Sequence, residues 1–312
     1  MDLDIDTQLD SFYNYLEFEK HYSVHTLDAY RNDLIQWVEY IEREKIEWTT
    51  VEQQSVYSFL SELRSEKGIS KSSQARKTAS LKSFYSYCER NDIIEKNTLK
   101  KLRSPKYHRS LPKPLRPIEM EMYLEDGTDQ QPWIQIRDRA ILEVLYSSGM
   151  RISEMLPLNT EEVVEINGRI TESVVIKGKG GKERVVFFGA RAKEALEFYL
   201  EVRPDVLKNV AEENMDKTPL FINYRGKRLS RRGATYILKK RKSLILSNDE
   251  VSPHTLRHSF ATDMLNSGAD IRIVQEMLGH SSVSTTQNYT HVAKERIQNT
   301  FWNCHPHAKK GK

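Results

Sequence analysis

Apolar side chains return at helical spacing through the first third of the chain. Leu9, Phe12, Leu16 and Phe18 do so over 8–22, and Leu27, Tyr30, Leu34, Trp37, Val38 and Ile41 over 25–42. Val56, Phe59, Leu60 and Leu63 continue over 51–64, and Leu81, Phe84, Tyr85 and Cys88 over 71–90. Four helices with short connections predict a small bundle. Beyond it, Ile118–Leu124 and Arg137–Tyr146 read as helices, the second stopped by Gly149. Three strand-like runs follow: Val163–Ile166, Ser173–Ile176 and Arg184–Phe188. Asn167-Gly168 is a turn signal between the first two, and the cationic, glycine-rich Lys177–Lys182 separates the second from the third. Helical spacing resumes over 191–202, 231–246, 253–267, 271–278 and 284–299. The expected fold class is mainly α with a small antiparallel β-sheet, an α+β chain. It divides into an N-terminal helical domain (1–103), a linker (104–116) whose three prolines resist helix, and a C-terminal domain (117–312).

At 312 residues the length allows two domains or three, and 38% hydrophobic residues are enough to bury a real core. With 29% charged residues, no uncharged apolar run reaches the ~18 needed to span a membrane. The acidic start lacks the basic and apolar regions of a signal peptide. Cys88 and Cys304 stand far apart, which excludes a disulfide scaffold or a cysteine zinc site and suits a reducing compartment. The expectation is a cytoplasmic protein with no membrane segment.

Charge is sorted along the chain. Residues 1–66 hold five basic and fifteen acidic side chains, and 67–116 hold fourteen basic and three acidic. A basic block beside an acidic one fits one surface toward a polyanion and another toward solvent, or equally a bundle with solvated charged faces. Within the block, Lys71, Ser73, Gln74, Arg76, Lys77, Ser80 and Lys82 mix long cations with small hydroxyls. That combination suits phosphates and base edges in a major groove. Lys106, Arg109 and Lys113 in the linker could follow a nucleic-acid backbone.

The chemistry gathers after residue 145. Ser252 and Pro253 predict a helix start. His254 and Arg257, three apart, share its face at the positive end of the helix, where a phosphate is favoured. Arg151 and Glu154 are also three apart, so the carboxylate can fix the guanidinium fork. Lys179 stands at the tip of the glycine-rich turn, which is no nucleotide P-loop, since GxxxxGK[ST] is absent. Each element alone is also the pattern of a solvated face, a surface ion pair or a mobile basic turn.

In combination they resemble the tyrosine recombinase family. The order Arg151, Lys179, His254-x-x-Arg257, His280, Tyr289 matches, in the contexts S-G-M-R-I-S-E, G-K-G-G-K-E-R, H-T-L-R-H-S-F-A-T, L-G-H-S-S and T-T-Q-N-Y-T-H. The resemblance spans residues 12–306, is most specific from 145 to 291, and is nearest the Xer group, since the length leaves no room for an arm-binding domain. Lys177 and Lys182 flank Lys179 as alternatives for its place. The resemblance implies that the N-terminal bundle is a core-binding (SAM-like) DNA-binding domain. It implies Tyr289 as nucleophile, Arg151, Arg257 and His280 on the phosphate, His254 as base, Lys179 as acid and Glu154 supporting from behind. It implies a double-stranded DNA recombination site, a 3′-phosphotyrosyl intermediate, and neither metal nor ATP nor other cofactor. It further implies a Holliday junction held by a homo- or hetero-tetramer, with a second Xer recombinase and an FtsK-type DNA translocase as further partners, in chromosome dimer resolution. A C-terminal helix carrying Ile297, Phe301 and Trp302 would dock on the next protomer. A phage or integron integrase, a type IB topoisomerase and a non-catalytic DNA-binding regulator are the alternatives.

Overall fold

The computed structural model describes residues 4–105, 114–124, 132–178, 182–208, 218–241, 251–279 and 291–309. It divides into two compact units, residues 1–110 and 111–312, with the division falling inside the predicted linker.

The first unit contains α1 (Ile5–Asn14), α2 (Val24–Arg43), α3 (Gln53–Lys67) and α4 (Lys71–Arg90). Their ends follow from local chemistry. Asp4, Ser23 and Ser70 accept backbone N–H bonds at the starts of α1, α2 and α4. The first helix runs on into a π-helical turn, Tyr15–Glu19, which spacing alone does not reveal. The core gathers Phe12, Trp37, Phe59, Phe84 and Tyr85, and the Trp37 indole N–H donates to Tyr85 Oη at 3.3 Å.

The second unit is built around α6 (Pro132–Ser148), buried on all sides from Ala140 onward, as a helix central to its domain must be. It packs on α9 (Ala190–Lys208) and α11 (Pro253–Asn266). Other helices are α5 (Pro117–Leu124), α7 (Ile152–Met155), α8 (Thr160–Val163), α10 (Arg231–Arg241), α12 (Ile271–Leu278) and α13 (His291–Cys304). Among the described residues the sheet has two strands, β1 (Ser173–Lys177) and β2 (Glu183–Phe187), antiparallel with Ile176 opposite Arg184. The end of the predicted linker belongs to this unit: Leu115 is buried and its N–H donates to Ser259 Oγ at 2.9 Å.

Two expectations are corrected. Val163–Ile166 is not a strand. The Glu162 carboxylate accepts from the Asn159 N–H at 2.7 Å, closing a capping box that starts α8, and only a single bridge, Val164 to Ile170, remains. In α13, Ile297 and Phe301 lie in the core of their own domain, with Trp302 packed beside them. The tail continues this docking: the Ala190 N–H donates to Ala308 O at 2.9 Å, and His307 Nδ1 lies 3.0 Å from Glu143 Oε2. The apolar face expected to meet a neighbouring protomer is therefore covered within the same chain.

Candidate active site

The site forms where α7, β2, α11 and the end of α12 converge. Gly149, at φ +60°, stops α6 with Phe260 packed against its Cα. A Cβ there would lie 2.6 Å from that ring. The chain then turns sharply, and Arg151 becomes the extended residue that opens α7.

Glu154 is the hub. Its Oε2 accepts from the Arg151 N–H at 2.7 Å, and its Oε1 from Arg151 Nη1 at 2.8 Å. From the other side Arg184 donates Nη1 to Oε1 at 3.0 Å and Nη2 to Oε2 at 2.7 Å. Burial pushes the Glu154 carboxyl up, but these guanidinium and backbone donors outweigh it and hold the group at about 2. It is an anion at every working pH.

Arg257, one turn into α11, is buried and spans the site. It donates Nη1 to Gly149 O at 2.7 Å and Nη2 to Leu278 O. Among the described residues no carboxylate lies within ion-pair distance of it. Desolvation, reinforced by repulsion from Arg151 and Arg184, lowers its pKa to about 10. Three guanidinia around one carboxylate leave an uncompensated positive charge, held in place before any ligand arrives. A phosphate would relieve that repulsion.

His254 is exposed at the second position of α11, after the Ser252 cap and Pro253 that the sequence indicated. Lys179, His280 and Tyr289 lie outside the described residues. Their chain neighbours are nonetheless placed. Gly178 has Arg184 Nη1 and Glu154 Oε1 beside it, and Gly279 (φ +65°) packs its Cα against the Arg184 side chain. Arg184 is the residue that sequence reasoning missed; it read only as the first residue of a strand. The available signal was strand alternation, which puts a cation on the same inward face as Val186.

The candidate DNA-contact residues fare differently. Lys71 is exposed at the start of α4, and Ser73 joins the Ser70 cap. Arg76 is partly exposed but pairs with Asp33 at 2.9 Å and donates to Ala29 O at 2.9 Å. Lys82 donates to Leu102 O at 3.1 Å. Lys77 and Ser80 are corrected: both are buried, Lys77 bonding Asp33 Oδ1 at 2.8 Å and Ser80 Oγ donating to Lys77 O at 2.9 Å. Lys106, Arg109 and Lys113 lie outside the described residues. In the second unit α10 exposes Arg231, Arg232, Tyr236 and Lys239, a basic and aromatic stripe not singled out from the sequence.

The fold is a helical bundle followed by a mainly helical domain that holds three buried or half-buried arginines beside one carboxylate. The family model for the phage integrase family matches residues 124–296, and that for the phage integrase N-terminal SAM-like domain matches residues 9–92. A tyrosine recombinase XerC of Leptospira interrogans is 40% identical over 302 residues, covering 96% of this chain and 93% of its own. One from Thermodesulfovibrio yellowstonii is 41% identical over 299 residues, covering 96% of each. Among solved structures, XerH site-specific recombinase bound to palindromic difH substrate in a post-cleavage complex matches with a TM-score of 0.64. It is 25% identical over 95% of this chain and 84% of that one. The chain belongs to the phage integrase family, as a tyrosine recombinase. It is an enzyme that cleaves and rejoins DNA at specific sites.

Proposed function

We propose that this recombinase resolves chromosome dimers, acting as a tetramer on paired DNA sites in the cytoplasm. A second Xer recombinase and an FtsK-type translocase are its expected partners. The observation that supports the reading is the Arg151–Glu154–Arg184–Arg257 cluster, whose cationic donors suit a phosphodiester as it takes on further negative charge. Among the described residues, no helix is long and apolar enough to cross a membrane.

In the proposed reaction Tyr289 Oη attacks the scissile phosphorus, forming the P–Oη bond while the bond to the 5′ oxygen breaks. His254 takes the phenol proton and Lys179 gives one to the departing 5′ oxygen. Arg151, Arg257 and His280 hold the non-bridging oxygens as charge builds on them. The phosphotyrosyl bond conserves the diester energy, so rejoining needs no nucleotide hydrolysis.

The test is a nicked suicide duplex carrying the host's candidate dimer-resolution site, incubated in EDTA with wild type and Tyr289→Phe. A covalent protein–DNA band on a denaturing gel is expected with wild type alone. Its absence on a duplex that is demonstrably bound overturns the reading.

DNA binding gives a second expectation. If the exposed stripe of α10 tracks phosphates, Arg232→Ala should lower the slope of log K against log salt by ~0.9, one contact's share. An unchanged slope takes α10 off the DNA.

A further inference from the structure

We propose that Arg184 is a positioning residue for DNA cleavage: by sharing the Glu154 carboxylate it keeps the charge and fork of Arg151 available to the phosphate. The inference rests on the reading of the cation cluster as the phosphate site.

The argument is one of charge and geometry. Glu154 accepts four hydrogen bonds, two from each arginine. Arg184 grips both oxygens end-on through Nη1 and Nη2, which fixes the plane of the carboxylate. One carboxylate between two guanidinia leaves the trio with a net positive charge. Paired with Arg151 alone, Glu154 would cancel the charge that the phosphate needs. It would also be free to swing and draw the Arg151 fork with it. Arg184 cannot easily be displaced, because it is 5% exposed and its Nε donates to Met277 O at 2.9 Å.

Position gives it a wider reach. Gly178, which precedes Lys179 in the chain, has the Arg184 Nη1 beside it, and Gly279, which precedes His280, packs on the same side chain. One buried guanidinium therefore braces Glu154 and the two backbone points that lead directly to a predicted acid and a predicted phosphate donor. Lysine could supply the charge but not the planar, two-pronged grip.

The experiment is single-turnover cleavage of the suicide duplex by Arg184→Gln, by Arg184→Lys and by the double variant Arg184→Gln/Glu154→Gln, with Kd for the same duplex measured in parallel. Arg184→Gln should cleave about 10²-fold more slowly, the scale of a small misplacement of a reacting group, while Kd moves only a few-fold. Arg184→Lys should recover part of the rate. The decisive comparison is the double variant. Removing the surplus negative charge should return charge to Arg151, so it should cleave faster than Arg184→Gln alone. A purely supporting role for Arg184 predicts further loss instead. A double variant slower than the single one, or an Arg184→Gln enzyme at wild-type rate, overturns the proposal. If Arg184→Gln does not fold, Arg184→Lys carries the test: cleavage slower than wild type with Kd within a few-fold supports the proposal, since lysine keeps the charge and loses the two-pronged grip, and cleavage at the wild-type rate overturns it. Failure of wild type itself to form the covalent complex overturns the phosphate-site reading, and this proposal with it.

Discussion

Arg257→Ala is expected to lower cleavage of the suicide duplex by about 10³-fold, the scale seen when a preorganised oxyanion donor is removed, while leaving DNA binding nearly intact. Arg257 is the guanidinium in the described cluster whose partners are carbonyls, so its charge is the least neutralised before DNA arrives. Glu154 offsets only part of its desolvation and of the repulsion it feels from Arg151 and Arg184, and a phosphate would relieve the rest. The substitution also leaves Gly149 O and Leu278 O without that donor, at a cost of about 1–3 kcal/mol for each buried carbonyl left unpaired. The variant should therefore melt earlier, and rates must be corrected for the folded fraction. Arg257→Lys, which keeps the charge and can reach one carbonyl, should fall between. A corrected Arg257→Ala rate near wild type would show that the phosphate is held elsewhere. Equal losses in binding and cleavage would make Arg257 a gripping residue that does not favour the transition state.

Much of this was legible from the sequence, for reasons that differ by residue. Helix positions followed from periodicity, and the start of α11 also from its Ser252 cap. The Arg151–Glu154 pair was legible because both partners sit in one turn. Arg184 was not, because its partners Glu154 and Met277 are distant in sequence and meet only in the folded domain. Val163–Ile166 misled because β-branched residues favour strands, while the Asn159/Glu162 box, a stronger local bond pattern, decided the conformation. The same capping logic that located α11 was present at α8 and was outweighed by side-chain type.

Lys77 shows how a charge pattern misleads, and its removal should have the second large effect. In α4, Lys77 precedes Leu81 and Phe84 by four and seven residues, which puts it on the apolar side of the helix. In α2, Asp33 falls between Tyr30 and Trp37 on that helix's inward side. Opposite charges on two facing apolar stripes point to a buried pair, and they meet at 2.8 Å with exposures of 4% and 1%. Lys77→Ala should therefore destabilise the N-terminal unit by about 3 kcal/mol, the low end for breaking a buried pair, because Arg76 still reaches Asp33 at 2.9 Å. For a unit of this size that lowers the melting midpoint by roughly 10 °C or more. The loss should depend on pH with a definite sign. Burial already pushes the Asp33 carboxyl up, against the pull of Lys77 and Arg76. Without Lys77 it rises further, so the native state takes up a proton more readily as pH falls. The deficit should be greatest at neutral pH and shrink under mildly acidic conditions, and Asp33→Asn should relieve part of it. Thermal melts of the single and double variants at two pH values measure this. A Lys77→Ala protein that melts like wild type and shows a flatter salt dependence for DNA binding would instead place this lysine on the DNA.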